Sequence, residues 1–427
     1  MSETADVAII GGGAAGIAAG IFAAQAAAPN TRIVILDSAK TLGAKILVSG
    51  GGRCNVTHDE VAADDFNGAR TFVRNVLAAF PAQAAVQWFE SIGIPLKREE
   101  TGKLFPVANT ARAVLGALLG RCEVLGVALQ TSCRVEAIVP PAAPGGTFSI
   151  THNRGSLECN RLIMATGGKS LPLTGSDGSG WAIAQQLGHT VTRTCAALVP
   201  LVLDEKMFHA SLAGIALEAQ LSTFSENQLV DRRAGSLLWT HFGISGPVAM
   251  DASRHWVMAH EGGAATRMEC NLLPSESFET LEGWLIDLAL QRPKLSIAGA
   301  VAMRLPERVA GAVITHAGVD RATMCGQLTR DARRALVHTL TALPLSIIRH
   351  RGWNYAEVTA GGIPLNEVSQ RTMKSRKVPG LHFVGEMLDC DGRIGGFNFQ
   401  WAWATGYLAG HAVGKAFSTG QTPRARP

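Results

Sequence analysis

Charge is scarce in this chain: only 17% of its 427 residues are Asp, Glu, Lys or Arg, against 47% apolar ones. That balance is lean, yet no apolar stretch reaches the ~20 residues that span a bilayer. The longest, around Ala14 to Ala28, falls about five residues short, so no membrane partner is expected. Cysteine pairing motifs are missing as well. Cys54, Cys122, Cys133, Cys159, Cys195, Cys270, Cys325 and Cys390 form no C-x-x-C pair. This argues against a zinc cluster or a local redox disulfide, and no metal site is expected. The thiols fit a reducing compartment, and a first strand beginning by Val7 leaves no room for a secretion signal, so a cytoplasmic location is expected. No internal repeat or low-complexity tract interrupts the chain. The net charge of +5 permits an RNA partner without demanding one. What remains is a chain long enough for two or three domains around a large core, as a soluble enzyme has.

Residues 7–37 carry the strongest signal. Val7-Ala8-Ile9-Ile10 reads as a short apolar strand, Gly11-Gly12-Gly13-Ala14-Ala15-Gly16 follows, and Ala14 to Ala28 is helical in pattern. Arg32 to Leu36 is a second strand ended by Asp37, twenty-one residues past Gly16. Each part has a chemical reason. Gly11 permits the tight turn, Gly13 lets the backbone approach a pyrophosphate, and Gly16 lets helix and strand pack closely. The unsatisfied N–H groups of the helix's first turn, Ala14 and Ala15 among them, attract phosphates. Asp37 stands where a carboxylate accepts ribose hydroxyls.

Three more glycine turns extend the pattern. Ser49-Gly50-Gly51-Gly52-Arg53-Cys54-Asn55 suits a loop whose amides wrap a phosphate or a ring edge; the plainer reading is a flexible connector. Arg161 to Met164 is a buried strand running into Ala165-Thr166-Gly167-Gly168, and parallel strands present ligands at their carboxyl ends. Gly380 to Val384 is a strand leading to Gly385-Glu386 and Asp389, then Gly395-Gly396 and a helix from Phe397 to Ala412. A carboxylate followed by a fresh helix N-terminus can bind a flavin's ribityl chain and the pyrimidine edge of its ring, where anionic charge develops on reduction.

Taken together, G-G-G-A-A-G, S-G-G-G-R-C-N, A-T-G-G-K-S, T-H-F-G-I-S-G-P, A-E-V-T-A-G-G, V-G-E-M-L-D and G-G-F-N-F-Q-W-A-W-A-T-G-Y resemble the BaiN/RdsA family of FAD flavoproteins, in the same order over nearly the whole chain. The resemblance implies an α/β fold with a Rossmann-like, glutathione-reductase-like FAD-binding domain built from two segments, 1–195 and 350–427. Between them it implies an inserted domain, 196–349, β-barrel-like to about 275 and helical from about 276. It implies FAD, held by Gly11, Gly13, Ala14, Ala15 and Gly16 at the pyrophosphate and Asp37 at the ribose. Val135 would meet adenine through its backbone. Lys45, Ser49, Gly50, Gly51, Gly52, Arg53, Cys54, Asn55, Ala165, Thr166, Gly167 and Gly168 would line the rest. Gly385, Glu386, Asp389, Gly395, Gly396, Phe397, Asn398, Phe399 and Gln400 would surround the ribityl chain and isoalloxazine. Two positions depart from the family pattern: Asp37 stands where members often carry Glu, and Cys390 where a small aliphatic is usual. A Cys54–Cys390 redox pair or two packed, inert thiols both fit.

Activities known in the family imply reduction of a C=C bond conjugated to a carbonyl, either in a bile-acid steroid or in a uridine of large-subunit ribosomal RNA. No second nicotinamide module is apparent, since Gly175-Ser176-Asp177-Gly178-Ser179-Gly180 has the wrong spacing and no preceding strand; NAD(P)H would act as a transient electron donor. The Gly385-Glu386 turn also differs from the G-D turn of aromatic hydroxylases, which discounts monooxygenation.

The segment from about 196 to 350 alternates apolar runs such as Leu198 to Leu203 and Leu217 to Phe224 with polar turns, then turns helical near Phe278 to Leu290 and on to about Leu340. His241 could donate a proton to a substrate enolate, or simply hold the turn before a helix starting at Pro247. Cys54 and Glu386 are the other candidate proton donors. Two basic clusters could meet RNA: Arg371, Lys374, Arg376 and Lys377, and Arg349-His350-Arg351 beside Trp353 and Tyr355, where a flipped base could stack. A solvated loop explains them equally well. Three readings stand: a flavin-dependent reductase of an rRNA uridine, an NAD(P)H-dependent reductase of a small enone, steroid or quinone, and a flavin-bound sensor without turnover.

Overall fold

Long apolar runs buried on both faces are what a parallel sheet requires, and the first strand here has that character: Val7, Ala8 and Ile9 are fully buried. The computed structural model describes residues 3–143 and 145–418. They divide into two units. One comprises the described residues up to Thr194 and those from Val358 onward, the other Cys195–Glu357.

In the first unit the strands are β1 (Glu3–Ile10), β2 (Ile33–Leu36), β3 (Ala128–Gln130), β4 (Val135–Val139), β5 (Phe148–His152), β6 (Gly155–Met164) and β7 (Leu381–Phe383). They form one sheet in the order β3-β2-β1-β6-β5-β4, with β7 also on β6. The pairs among β3, β2, β1, β6 and β7 are parallel. β6 serves two neighbours along one edge: its first half pairs antiparallel with β5, and its last residues pair in parallel with β7, Ile163 opposite His382. The expected strand–turn–helix–strand therefore forms, its helix α1 (Ala14–Ala26) stopping before Pro29.

One face of α1, Ala15, Ala19 and Ala23, carries only methyl groups, and the reason lies at the other end of the unit. The last helix, α2 (Phe397–Lys415), lays Gly406, Gly410 and Gly414 against it. A methyl on these glycines would come 2.8, 2.4 and 2.3 Å from the carbonyl oxygens of Ala15, Ala19 and Ala23. Glycine at a four-residue spacing thus lets two helix backbones touch, and Ala15 to Ala23 are buried without interruption.

The second unit has a seven-stranded antiparallel sheet in the order Leu343–Leu345, Thr266–Asn271, Ala216–Ser225, Gln228–Thr240, Gly243–Ser245, Leu201–Leu203, Ile347–His350. Its hydrogen-bonded path is open, so no closed barrel forms among the described residues. Only Ser346 separates the two end strands, however, and the chain itself steps from one edge to the other. The helices Phe278–Gln291, Ile297–Ala302, Glu307–His316 and Arg330–Ala342 follow in sequence. The helical part does not run on to 349 as expected. Pro344 disfavours helix at the residue before it, and the chain returns to the sheet at Leu343.

Candidate functional site

In a parallel sheet, ligands bind beyond the carboxyl ends of the strands, and four loops of the first unit gather there: Gly11–Gly16 after β1, Asp37 after β2, Ala165–Gly168 after β6 and Gly385–Glu386 after β7. Gly11 has φ +107°, and a methyl on it would lie 2.3 Å from the Ala165 carbonyl oxygen. One on Gly16 would lie 1.9 Å from the Gly11 oxygen. Gly13, by contrast, has nothing within 4 Å of such a methyl. It caps α1 with no side-chain hydrogen bond, so the first-turn amides of Ala14 and Ala15 lack a side-chain acceptor. The Ala165 amide donates to the Ile10 carbonyl (2.8 Å), which locks the two loops together.

Asp37 is held from both sides. Its carboxylate accepts from the Gly12 amide at 2.6 Å and the Ala39 amide at 2.7 Å. The Cys133 amide donates to the Asp37 carbonyl at 2.8 Å, which brings Val135 two residues from the end of β2.

Lys45 and Glu386 do not project separately toward a ligand; they meet. Lys45 Nζ donates to Glu386 Oε2 at 2.7 Å and to Ser170 Oγ at 2.8 Å. Glu386 Oε1 accepts from Ser170 Oγ and from the Thr359 amide, both at 2.9 Å. With an ammonium, a hydroxyl and an amide all donating to it, this carboxylate acts as an acceptor, which corrects the expectation that it could deliver a proton. Ser170 and Thr359 escaped the sequence reading, although both lie in quoted motifs, because nothing local shows that they converge on residue 386. Gly385, at φ +68°, donates its amide to Thr405 Oγ1 and seats against Ala15.

The loop 49–55 contains three successive left-handed glycines, Gly50, Gly51 and Gly52 (φ 55°, 68° and 82°), all exposed, and Ser49 Oγ donates to the Ile46 carbonyl. Arg53 turns to Glu99 (2.6 Å) and stacks over Phe105, so its charge is already matched. Cys54 is buried, and burial pushes its thiol up to about 12. No disulfide joins it to Cys390. A thiol so reluctant to ionise suits packing and speaks against thiolate exchange with Cys390. Asn55 is different: it is buried, and its Oδ1 has no partner among the described residues. Thr166 Oγ1 shares that condition. Gly167 is left-handed at φ +73°, and a methyl on Gly168 would meet Thr359 Oγ1 at 2.4 Å.

Asn55 points at the start of α2. Gly396 (φ +96°) caps that helix without a side-chain bond, and a methyl there would lie 2.9 Å from Asn55 Oδ1. Gly395 is also left-handed. Phe397 stacks on His58 and Phe399 on Trp403. Asn398 clasps the Gly392 backbone, accepting its amide and donating to its carbonyl, each at 2.9 Å. Gln400 is fully buried between Thr57 and the Phe80 carbonyl, so it braces the helix and is not a ligand contact as expected. Asp389 Oδ2 accepts from Thr192 Oγ1 at 3.1 Å.

In the inserted unit, His241 is exposed at the tip of a hairpin. It does not hold the turn, since Thr240 Oγ1 accepts the Gly243 amide there. Arg351 lies over both Tyr355 (3.6 Å) and Phe242 (4.4 Å). His350 pairs with Glu261, while Arg349 is exposed. In the other basic cluster Lys377 pairs with Glu367 and Arg376 donates to the Val368 carbonyl, whereas Arg371 and Lys374 are exposed. Among the described residues no group of three or more His, Cys, Asp or Glu is placed to hold a metal ion, and no helix is long and apolar enough to cross a membrane.

The model of the HI0933-like protein Rossmann domain matches residues 5–412. The chain is 34% identical over 417 residues to a ribosomal RNA dihydrouridine synthase of Escherichia coli, covering 95% of this chain and 97% of that one. It is 32% identical over 409 residues to a 3-dehydro-bile acid delta(4,6)-reductase of Clostridium scindens, covering 95% and 98%. Among solved structures, E. coli quinol fumarate reductase FrdA superposes with a TM-score of 0.51 at 17% identity, over 100% of this chain and 72% of its own; that likeness is one of fold. The chain belongs to the HI0933-like Rossmann family, that of BaiN and RdsA, a family of FAD-dependent oxidoreductases.

Proposed function

We propose that this enzyme holds FAD along the carboxyl edge of its seven-stranded sheet and reduces a C=C bond conjugated to a carbonyl, in a uridine of large-subunit ribosomal RNA. The observation that carries this reading is end-to-end similarity to an rRNA dihydrouridine synthase. The residues of the crevice fit the cofactor. Gly13 leaves open the one approach that a pyrophosphate needs, and the uncapped amides of α1 face it. Asp37 would accept ribose hydroxyls on the lone pairs its two backbone partners leave. Asn55 Oδ1 and Thr166 Oγ1 are buried polar atoms that lack a partner, a costly condition unless a ligand supplies one. Lys45 and Ser170 would fix Glu386 and, with it, the turn carrying Gly385. The Gly396 end of α2 would favour negative charge at the pyrimidine edge of the ring.

FAD, when bound, would supply hydride chemistry, with NAD(P)H as the transient electron donor. The chain's own task is then to orient the base and deliver a proton. His241, exposed and with an imidazole that suits proton transfer near neutral pH, is the donor we favour. Arg351, stacked between Tyr355 and Phe242, offers a rigid cationic and aromatic surface of the kind on which bases stack. A second reading, reduction of a small enone, steroid or quinone, draws on the similarity to the bile-acid reductase. The distinguishing experiment maps dihydrouridine in rRNA from a deletion strain. One site should be lost and return with the intact gene; an unchanged profile removes the rRNA reading. Anaerobic reoxidation of the reduced protein by a panel of enones tests the second reading, which fails if none accelerates it. Reduction without any competent acceptor would leave a sensor.

A further inference from the structure

A cavity of about 490 Å³ opens in the same unit, where Asn160 and Arg161 in the second half of β6 meet the start of β7. Its walls include Asn160, Arg161, Lys374 and His382 and, on the apolar side, Val378 and Val413. Val413 lies sixteen residues along α2 from Phe397, roughly 24 Å along the helix, while on the sheet side His382 is three residues from Gly385, about 10 Å. The volume is that of a small-ligand site.

The wall is chemically lopsided. It contains two cations and no carboxylate. Lys374 is exposed, and no ion-pair partner is found for it among the described residues. Arg161 donates to the Asn160 carbonyl at 2.8 Å, which leaves other guanidinium N–H groups available. Both cations act on His382, whose ring is buried. Burial, then Lys374 and Arg161, pull that imidazole down to about 4, so the ring is neutral near pH 7. The carbonyls of Gly380 and Leu162 act on the ring in the opposite sense, while Nδ1 is buried without a partner. A neutral imidazole whose proton serves those carbonyls keeps Nδ1 as an acceptor. The cavity therefore wants an anion at its cationic side and an N–H or O–H donor at its floor.

Two converging cations match a phosphomonoester, which carries about −1.5 to −2 at neutral pH. We propose that this cavity is a second binding site, for a nucleoside monophosphate. Its phosphate lies on Arg161 and Lys374, a base or sugar donor reaches His382 Nδ1, and the organic body rests on Val378 and Val413. The site is independent of what the crevice does. The same chemistry could come from a free nucleotide or from the 5′-phosphorylated end of an RNA.

Calorimetric titration of the holoenzyme with UMP and AMP tests the assignment. Saturable binding is expected, weakened about tenfold or more by Lys374→Ala and by Arg161→Gln, each removing a charge-assisted contact. His382→Phe keeps the buried ring but removes the acceptor, and should weaken UMP while sparing inorganic phosphate. A 5′-phosphorylated uridine tetramer that displaces UMP assigns the RNA end as the source; one that does not assigns the free nucleotide. The flavin content of all three variants should equal that of the parent, which separates this site from the crevice. Absence of binding at millimolar UMP and AMP, or binding indifferent to Lys374→Ala, overturns the proposal.

Discussion

Replacing Gly410 by alanine tests whether the crevice depends on the closeness of α1 and α2. The added methyl would lie 2.4 Å from the Ala19 carbonyl oxygen and 3.0 Å from the Ala23 nitrogen. Ordinary contact begins near 3.4 Å, so the helices must part by about 1 Å at this level. Overpacking of this kind costs about 1–3 kcal/mol, and alanine's better helix propensity offsets about 1 kcal/mol of it. The net should be a destabilisation of about 0–2 kcal/mol. Because the amino end of α1 is the proposed phosphate cradle, FAD affinity should fall as well, severalfold. Gly120→Ala is the matching control: it lies in the helix Ala111–Val124, where a methyl meets nothing within 4 Å. That variant should gain up to about 1 kcal/mol. Urea unfolding followed by tryptophan fluorescence, with and without FAD, reads both effects, and a flavin titration reads the affinity. Equal gains in stability for the two variants, with FAD binding unchanged, would refute the reasoning.

Asp37→Ala removes the acceptor of two backbone amides as well as the proposed ribose contact, so the FAD dissociation constant should rise about tenfold or more; a flavin-fluorescence titration showing no change counts against that role. Glu367 offers a pH test. Burial opposes its charge, but hydrogen bonds from Lys377, Thr190 and His189 hold its carboxyl at about 2, below the ordinary 4.5. A depressed folded value means that the stabilisation is present above about 4.5 and is lost as pH falls toward 2. It amounts to about 3 kcal/mol. Glu367→Gln should therefore flatten the acid limb of stability against pH, and an identical limb in the variant would exclude the contribution. Iodoacetamide at pH 8 should leave Cys54 unmodified in the folded protein and label it in urea, read by peptide mass spectrometry; rapid labelling of the native state would contradict its burial.

The nucleotide unit was legible because its determinants are local. Gly11, Gly13, Gly16 and Asp37 lie within one strand–helix–strand, where Gly16 packs on the Gly11 carbonyl and Asp37 accepts the Gly12 amide; only the Ala165 carbonyl that Gly11 must clear comes from elsewhere. Gln400 and Arg53 misled for the opposite reason: the partners that occupy them, Thr57 and Phe80 for one and Glu99 for the other, come from distant segments whose approach no periodicity announces. Glu386 shows the mixed case. Its place after a strand was readable, but its bond to Lys45 joins residues 341 apart in sequence. The return of the chain to the sheet at Leu343 was hidden by the length of the helical pattern before it. The glycine spacing at 406, 410 and 414 was visible all along; only the alanines of α1 give it meaning.

The covering of α1 by α2 also fixes an order of events during synthesis. α1 emerges from the ribosome before either element that covers it, with Ala15 to Ala23 as a surface that belongs inside. β7 and α2, which complete the sheet and cover that surface, are translated only after the whole inserted unit. The inserted unit, contiguous in sequence, is therefore fully translated before the unit that encloses it. Until α2 has been made and packs on it, the segment that carries α1 is a natural client for chaperones.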